Sequence, residues 1–328
     1  MSQETPEQPV ATEYIPPSVS EHLNNLHSGH SYTHYSPMPT NISSNNATTN
    51  TQGTPVVLGV DEAGRGPVIG PMVYGIFYLP IELQHSLLAE THHFDDSKVL
   101  TPLNCGWAIK SLSALDIGAG MMRNGGSYNL NAQAMDATVE VVRGVIERGV
   151  NVVEIYVDTI GQPGTYQKKL QAIFPTVKIT VEKKADSLYP CVSAASVVAK
   201  VTRDVSCEVL YSKVVEGKQA QFEDNGVMID EVGWGSGYPS DAKCVTWLKG
   251  NMDDMFGWGS ECRFSWGTVK DMLEDRSKAI QVDWPDDDKE NNRLSQYFGV
   301  GDTMMRGINS EEQELRNWFG ASVDNEVF

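Results

Sequence analysis

Residues 57–71 read VLGVDEAGRGPVIGP, and this stretch limits what the chain can become more than any other. A β-branched apolar run drives directly into adjacent carboxylates, Asp61 and Glu62, followed at once by Gly64-Arg65-Gly66-Pro67. The run has the character of a buried strand. Acid side chains at the mouth of such a strand are costly unless positive charge neutralises them, and two in succession argue for a metal ion. The glycines remove Cβ atoms where backbone must approach something closely. Together the pieces describe a carboxylate–metal centre with a large ligand pressed against bare backbone beside it.

Further along, residues 68–79, 152–157 and 177–181 read as strands, and residues 115–122 as a strand-like stretch. Thr101-Pro102 opens an expected helix, with proline at its first position. Residues 131–148 carry Met135, Val139, Val142, Val145 and Ile146 on one helical face, closed by Gly149. Residues 162–174 and the small-residue-rich stretch 194–209 read as two more helices. Strands alternating with helices in this order predict an α/β fold around a mixed sheet. After Lys213 the pattern weakens. Residues 216–232 read as an inserted loop, and short helical pieces run through Leu273.

Three regions follow. Residues 1–54 are rich in Ser, Thr, Asn, His and Pro and are expected to form a disordered tail, because they offer little apolar surface to offset the entropy of ordering. Within it, His22, His27, His30 and His34 read as solvated side chains with at most adventitious metal affinity. Residues 55–273 form the globular domain, and 274–328 an acidic tail centred on Asp286-Asp287-Asp288.

The net charge of −18 sits awkwardly with a polyanionic ligand, but it is unevenly spread. Residues 1–54 hold four acids and no Lys or Arg, and residues 274–328 hold thirteen acids against six bases. The central region has 26 acids and 19 bases, and cations bound by some of those acids would offset part of the difference. No dense basic patch is present, so affinity for nucleic acid should be modest unless divalent ions or partner chains add positive field. The five cysteines lack any CxxC pairing and read as reduced, mostly buried thiols of an intracellular protein. The longest uncharged apolar run, residues 67–81, is too short to span a bilayer and is broken by glycines and prolines, so no membrane role is expected.

Two further acids matter by position. Asp158 ends the run 152–157, and Asp186 opens the segment after 177–181. Ligands gather at strand ends in α/β sheets, so acids from separate strands can converge there. Asp61, Glu62, Asp158 and Asp186 could thus hold two divalent cations about 3.5–4 Å apart, an arrangement suited to phosphodiester cleavage. An all-oxygen set without nearby His or Cys favours Mg²⁺ or Mn²⁺ over zinc. Plainer readings stand beside these. Asp158-Thr159 reads equally as a turn, and Asp186-Ser187 as an N-cap. Gly64 and Gly66 would serve in a simple turn, Tyr238 in a core, and Lys98 in a solvated loop. Asp61-Glu62 has no comparable alternative, since a cap needs only one acid.

The string GVDEAGRGPVIGPMVYG, residues 59–75, resembles the signature of type 2 ribonuclease H. The likeness continues through Asp96-Ser97-Lys98, Tyr128-Asn129-Leu130-Asn131, Tyr156-Val157-Asp158-Thr159 and Lys184-Ala185-Asp186-Ser187-Leu188-Tyr189-Pro190. It then takes in Val192-Ser193-Ala194-Ala195-Ser196, Gly235-Ser236-Gly237-Tyr238-Pro239 and Arg263-Phe264-Ser265-Trp266. The wording of several motifs is similar to the eukaryotic catalytic subunit rather than the bacterial monomer.

The resemblance implies a ribonuclease H-like mixed sheet flanked by helices, with a small helical C-terminal extension. It implies an endoribonuclease that cuts RNA in RNA/DNA hybrids and at single ribonucleotides in duplex DNA, in ribonucleotide excision and in primer removal during replication. Asp61, Glu62, Asp158 and Asp186 match the family's catalytic acids. Gly64, Arg65 and Gly66 match the loop that meets the ribose 2′-hydroxyl, the group that separates RNA from DNA. Tyr238 matches the aromatic that packs on the sugar of the following deoxynucleotide. Lys98 falls near the site, where a phosphate contact is inferred. Residues 280–284 and 293–298 resemble tail elements that help bind two accessory subunits, and nuclear placement rests on the resemblance alone. The N-terminal segment finds no counterpart, and residues 214–234 are longer than the family pattern. Another nuclease or integrase with an acidic centre, and an inactive scaffold protein, are the rival readings.

Overall fold

A computed structural model describes residues 14–42, 53–84, 102–123, 128–159, 161–222 and 233–275. The chain divides into a unit spanning Met1–Gln281 and a second spanning Val282–Phe328, the latter outside the described residues.

The strands, in chain order, are β1 (Tyr32–Tyr35), β2 (Pro55–Ala63), β3 (Met72–Pro80), β4 (Gly106–Leu112), β5 (Asn151–Asp158) and β6 (Lys178–Glu182). They form one mixed sheet in the order β1-β4-β3-β2-β5-β6. β2 lies inside it, antiparallel to β3 and parallel to β5, with Asp61 opposite Gly75 and Glu62 opposite Tyr74. β6 extends the parallel side, while β4 and then β1 add antiparallel strands on the other.

Both faces of β2 are covered, which explains its nearly unbroken apolar sequence. Val56, Leu58 and Val60 pack with Val141, Val142 and Val145 of helix α4 (Leu130–Glu147) and Leu170 of α5 (Pro163–Ile173). Val57, on the opposite parity, packs with Cys191, Val192 and Ala195 of α6 (Pro190–Phe222). That helix lies very close to the sheet. A Cβ at Gly59 would sit 2.3 Å from the Cys191 carbonyl, and one at Gly75 would sit 2.4 Å from the Ala195 oxygen. The small residues of α6 and two glycines of the sheet are therefore one packing device. Since successive strand residues point to opposite faces, Asp61 is directed toward α6 and Glu62 toward α4 and α5.

Several expectations need correction. Residues 14–42 are not a disordered tail. They form α1 (Pro17–Ser20), α2 (Leu23–His27) and β1, which pairs along β4. Val19 is fully buried, and the Ser18 hydroxyl lies 2.8 Å from that of Thr202 on α6. A few well-placed apolar residues and polar links suffice here because the sheet and α6 supply the rest of the core. His34 is accordingly buried rather than solvated. The strand-like stretch 115–122 is helical, as α3 (Ala114–Met121), because the Ser113 hydroxyl caps it by accepting from the Asp116 N–H at 3.0 Å. The region after Pro102 leads into strand β4, not a helix. α6 runs on to Phe222, into the segment read as a loop. Two short helices, α7 (Ala242–Gly250) and α8 (Gly267–Glu274), follow.

Candidate active site

β2 and β5 run parallel and end side by side, which brings Asp61 and Glu62 next to Asp158. The chain leaving β6 turns through Lys184 in the left-handed region (φ 58°) into a single 3₁₀ turn, Ala185–Ser187, that carries Asp186. Asp158 fixes this turn by accepting the Ala185 N–H at 3.1 Å. Asp61 experiences the charges of both Asp158 and Asp186, and Glu62 those of Asp61 and Asp158. All four acids predicted from the sequence therefore meet in one neighbourhood.

Burial dominates the electrostatics. Desolvation pushes the Asp61 carboxyl up to about 6 and the Glu62 carboxyl up to about 7, with neighbouring acids adding to both. Among the described residues one ion pair relieves this charge, Arg65 Nη1 to Glu62 Oε1 at 3.8 Å. The donor set is purely carboxylate oxygen and carries uncompensated negative charge, which suits hard divalent cations.

Because Asp61 and Glu62 face opposite sides, the site opens to both. On the α6 side a cleft of about 660 Å³ is lined by Asp61, Asp158, Lys200, Arg203 and Tyr238 among others. On the α4/α5 side a cleft of about 620 Å³ is lined by Glu62, Tyr74, Asn131, Asp158, Tyr166 and Lys169 among others.

The Gly64-Arg65-Gly66 loop closes the junction between them. Gly64 has φ +78°, and a Cβ there would lie 2.5 Å from the Pro71 carbonyl oxygen, so glycine is required. Gly66 rests on Tyr238, whose ring would be 3.0 Å from a Cβ at that position. Tyr238 itself is 41% exposed, so it is not a core aromatic. Arg65 turns back into the site, donating to Asn131 Oδ1 and to the Tyr74 hydroxyl. Lys98 lies outside the described residues.

A family model described as Ribonuclease HII matches residues 58–269. The chain belongs to the ribonuclease HII family. It is 49% identical to the A subunit of ribonuclease H2 from Neurospora crassa, an alignment that covers 98% of this chain and 99% of that protein. It is 43% identical to the corresponding A subunit from Schizosaccharomyces pombe over 84% of this chain and 82% of that one. It is also similar to the crystal structure of the ribonuclease H2 from Pyrococcus horikoshii OT3, at a TM-score of 0.46 and 27% identity, covering 67% of this chain and 97% of that one. The protein is a ribonuclease H, and thus a hydrolytic nuclease.

In this ribonuclease HII chain the residue that shapes the glycine loop is one to which sequence reasoning gave no role. Arg263 is fully buried and donates to the carbonyls of Gly64 (2.6 Å), Arg65 (3.0 Å) and Gly70 (2.9 and 3.1 Å). Burial brings its guanidinium down to about 9. The Trp266 indole N–H donates to the Gly66 carbonyl at 3.0 Å, and Arg263 stacks over the same ring. The signal was present as a lone arginine among Cys262, Phe264 and Trp266, since a charge in such company is either buried with partners or misplaced. Lys200, Arg203 and Asp204 were also overlooked, although their spacing of three and four residues places them on one face of α6. Arg203 donates to the Ser236 carbonyl at 2.8 Å and so braces the segment that carries Tyr238.

Proposed function

We propose that this chain is an endoribonuclease acting on RNA/DNA hybrids and 5′ of single ribonucleotides embedded in duplex DNA, leaving 3′-hydroxyl and 5′-phosphate ends. Asp61, Glu62, Asp158 and Asp186 would hold two divalent cations, Mg²⁺ or Mn²⁺. Bound there, such ions supply the charge that activates a water and stabilises the departing 3′ oxygen. The observation that carries the reading is the join between this acid cluster and a loop whose carbonyls are all turned inward. The Gly64, Arg65 and Gly66 carbonyls are engaged by Arg263 and Trp266. Among the described residues the N–H groups of Arg65 and Gly66 make no hydrogen bond, which leaves donors for a 2′-oxygen and its neighbouring phosphate. The exposed ring of Tyr238, held against Gly66, would pack on the next sugar and sense whether it lacks a 2′-hydroxyl. Lys200 and Arg203 would meet backbone phosphates along the same cleft, and Lys98 is proposed as a further phosphate contact.

Two accessory chains, joining this one in a heterotrimer, would add the positive field that the acidic composition lacks. Action in ribonucleotide excision and in removal of RNA primers, in the nucleus, completes the proposal. The test is cleavage of three otherwise identical duplexes, with a full RNA strand, one ribonucleotide or none, with and without accessory chains. Cutting of the first two with Mg²⁺, and not of the all-DNA duplex, is the expected result. Cutting of the all-DNA duplex at a comparable rate would replace this reading with that of a general nuclease.

A further inference from the structure

We infer that Glu21, His22 and His34 form a zinc-binding clamp that fastens the N-terminal segment to the edge of the sheet. The three residues come from two separate elements. Glu21 and His22 form the bend between α1 and α2, and His34 lies on β1. Among the described residues they are the one group of three metal-type side chains whose donor atoms all lie within 4.8 Å of one another. His22 Nε2 is 3.2 Å from His34 Nδ1, and His34 Nδ1 is 3.5 Å from Glu21 Oε2. A tetrahedral zinc ion bound at about 2.0–2.2 Å separates its ligand atoms by about 3.3–3.6 Å, so two of the three edges of a ligand face are already near that spacing, and the third is within 4.8 Å.

Hydrogen bonding joins these converging atoms only in pairs. One proton between His22 and His34 serves that pair, and His34 Nδ1 cannot then also donate to Glu21 if it is the acceptor. A single cation satisfies all three converging atoms. Both rings are held in place: His22 stacks on Tyr32 at 4.5 Å and His34 lies against Trp107 at 5.1 Å. Glu21 is 65% exposed, so the fourth position faces solvent and would take a water.

The ligand set differs from the acid centre, and the test uses that difference. The full chain is stripped with chelator, given saturating Mg²⁺, and titrated with Zn²⁺, with Co²⁺ as a spectroscopic substitute. One Zn²⁺ per chain is expected, with the strong visible bands of four-coordinate Co²⁺ and a rise in melting temperature of about 5 °C at a hundredfold excess over Kd. His22→Ala should abolish this binding, and Glu21→Gln should weaken it roughly tenfold or more. Should His22→Ala unfold, the exposed Glu21→Gln position carries the test. Absence of zinc uptake, or uptake unchanged in the variants, overturns the inference.

Discussion

At the end of β2, four carboxylates share one neighbourhood but stay apart, whereas at the outer edge of the sheet Glu21, His22 and His34 each bring a donor atom to within 4.8 Å of the others. The difference is one of charge. Buried acids repel, so Asp61 and Glu62 answer desolvation by rising toward neutrality, and a cation is what would let them gather. Two neutral imidazoles and one carboxylate repel far less, so their donor atoms already stand near the spacing a cation needs. The two groups should therefore respond to pH in opposite directions.

The sharpest break between them is in catalysis. Asp61→Asn and Asp158→Asn should each lower Mg²⁺-dependent cleavage by roughly a thousandfold or more while leaving the far-ultraviolet circular dichroism unchanged. Glu21→Gln, by contrast, should cut at the wild-type rate. Single-turnover assays with a hybrid duplex measure both.

Next in size is the support beneath the glycine loop. Arg263→Leu strands the buried Gly70 carbonyl and the half-buried Gly64 and Arg65 carbonyls and should cost about 3–5 kcal/mol of stability, read as a fall in urea midpoint. Arg263→Lys keeps the charge but not the fork of donors, so it should retain the fold better than it retains kcat.

The pH responses come third. A carboxyl whose folded pKa is raised stabilises the protein below its unfolded value near 4, and that contribution is lost as pH climbs through 6 and 7. Asp61→Asn should thus be more stable than wild type in chelator at pH 7.5, by about 1–3 kcal/mol, with the advantage cut to roughly a third at pH 4.5 and gone near pH 3. Burial lowers the pKa of His22 and His34, so their contribution is present above the ordinary value of 6.5 and lost as pH falls below it. His22→Gln should flatten the decline in melting temperature between pH 6.5 and 5. A wild-type slope in either variant would dissolve the contrast.

The smallest effect expected is at Tyr238. Tyr238→Ala should reduce cleavage at a single ribonucleotide about tenfold, and less on a continuous hybrid, because only the former presents an RNA-to-DNA junction at the ring. Equal losses on both substrates would reduce Tyr238 to a packing role.

How much of this could be read from the chain follows from where each signal resides. The acids at the ends of β2 and β5 were legible because their placement depends on local strand periodicity, and parallel pairing then brings the strand ends together. α4 was legible from its apolar spacing and closing glycine. The N-terminal segment was not, because its order comes from β1 pairing with a strand some seventy residues away and from Ser18 meeting Thr202, neither of which leaves a local hydrophobic pattern. α3 was misread because two glycines and a short length hide its helical spacing, while the deciding cap is the single hydroxyl of Ser113. Arg263 was visible as a motif letter, but its task depends on carbonyls nearly two hundred residues earlier.

The claim on which most depends is that Asp61, Glu62, Asp158 and Asp186 jointly hold a pair of hard cations. Manganese binding followed by electron paramagnetic resonance, with a cleavage-resistant hybrid present, tests it directly. Two Mn²⁺ per wild-type chain with a spin–spin coupled signal are expected, falling to one or none in Asp61→Asn and Asp158→Asn. An uncoupled signal, or a stoichiometry that both substitutions leave unchanged, would contradict it.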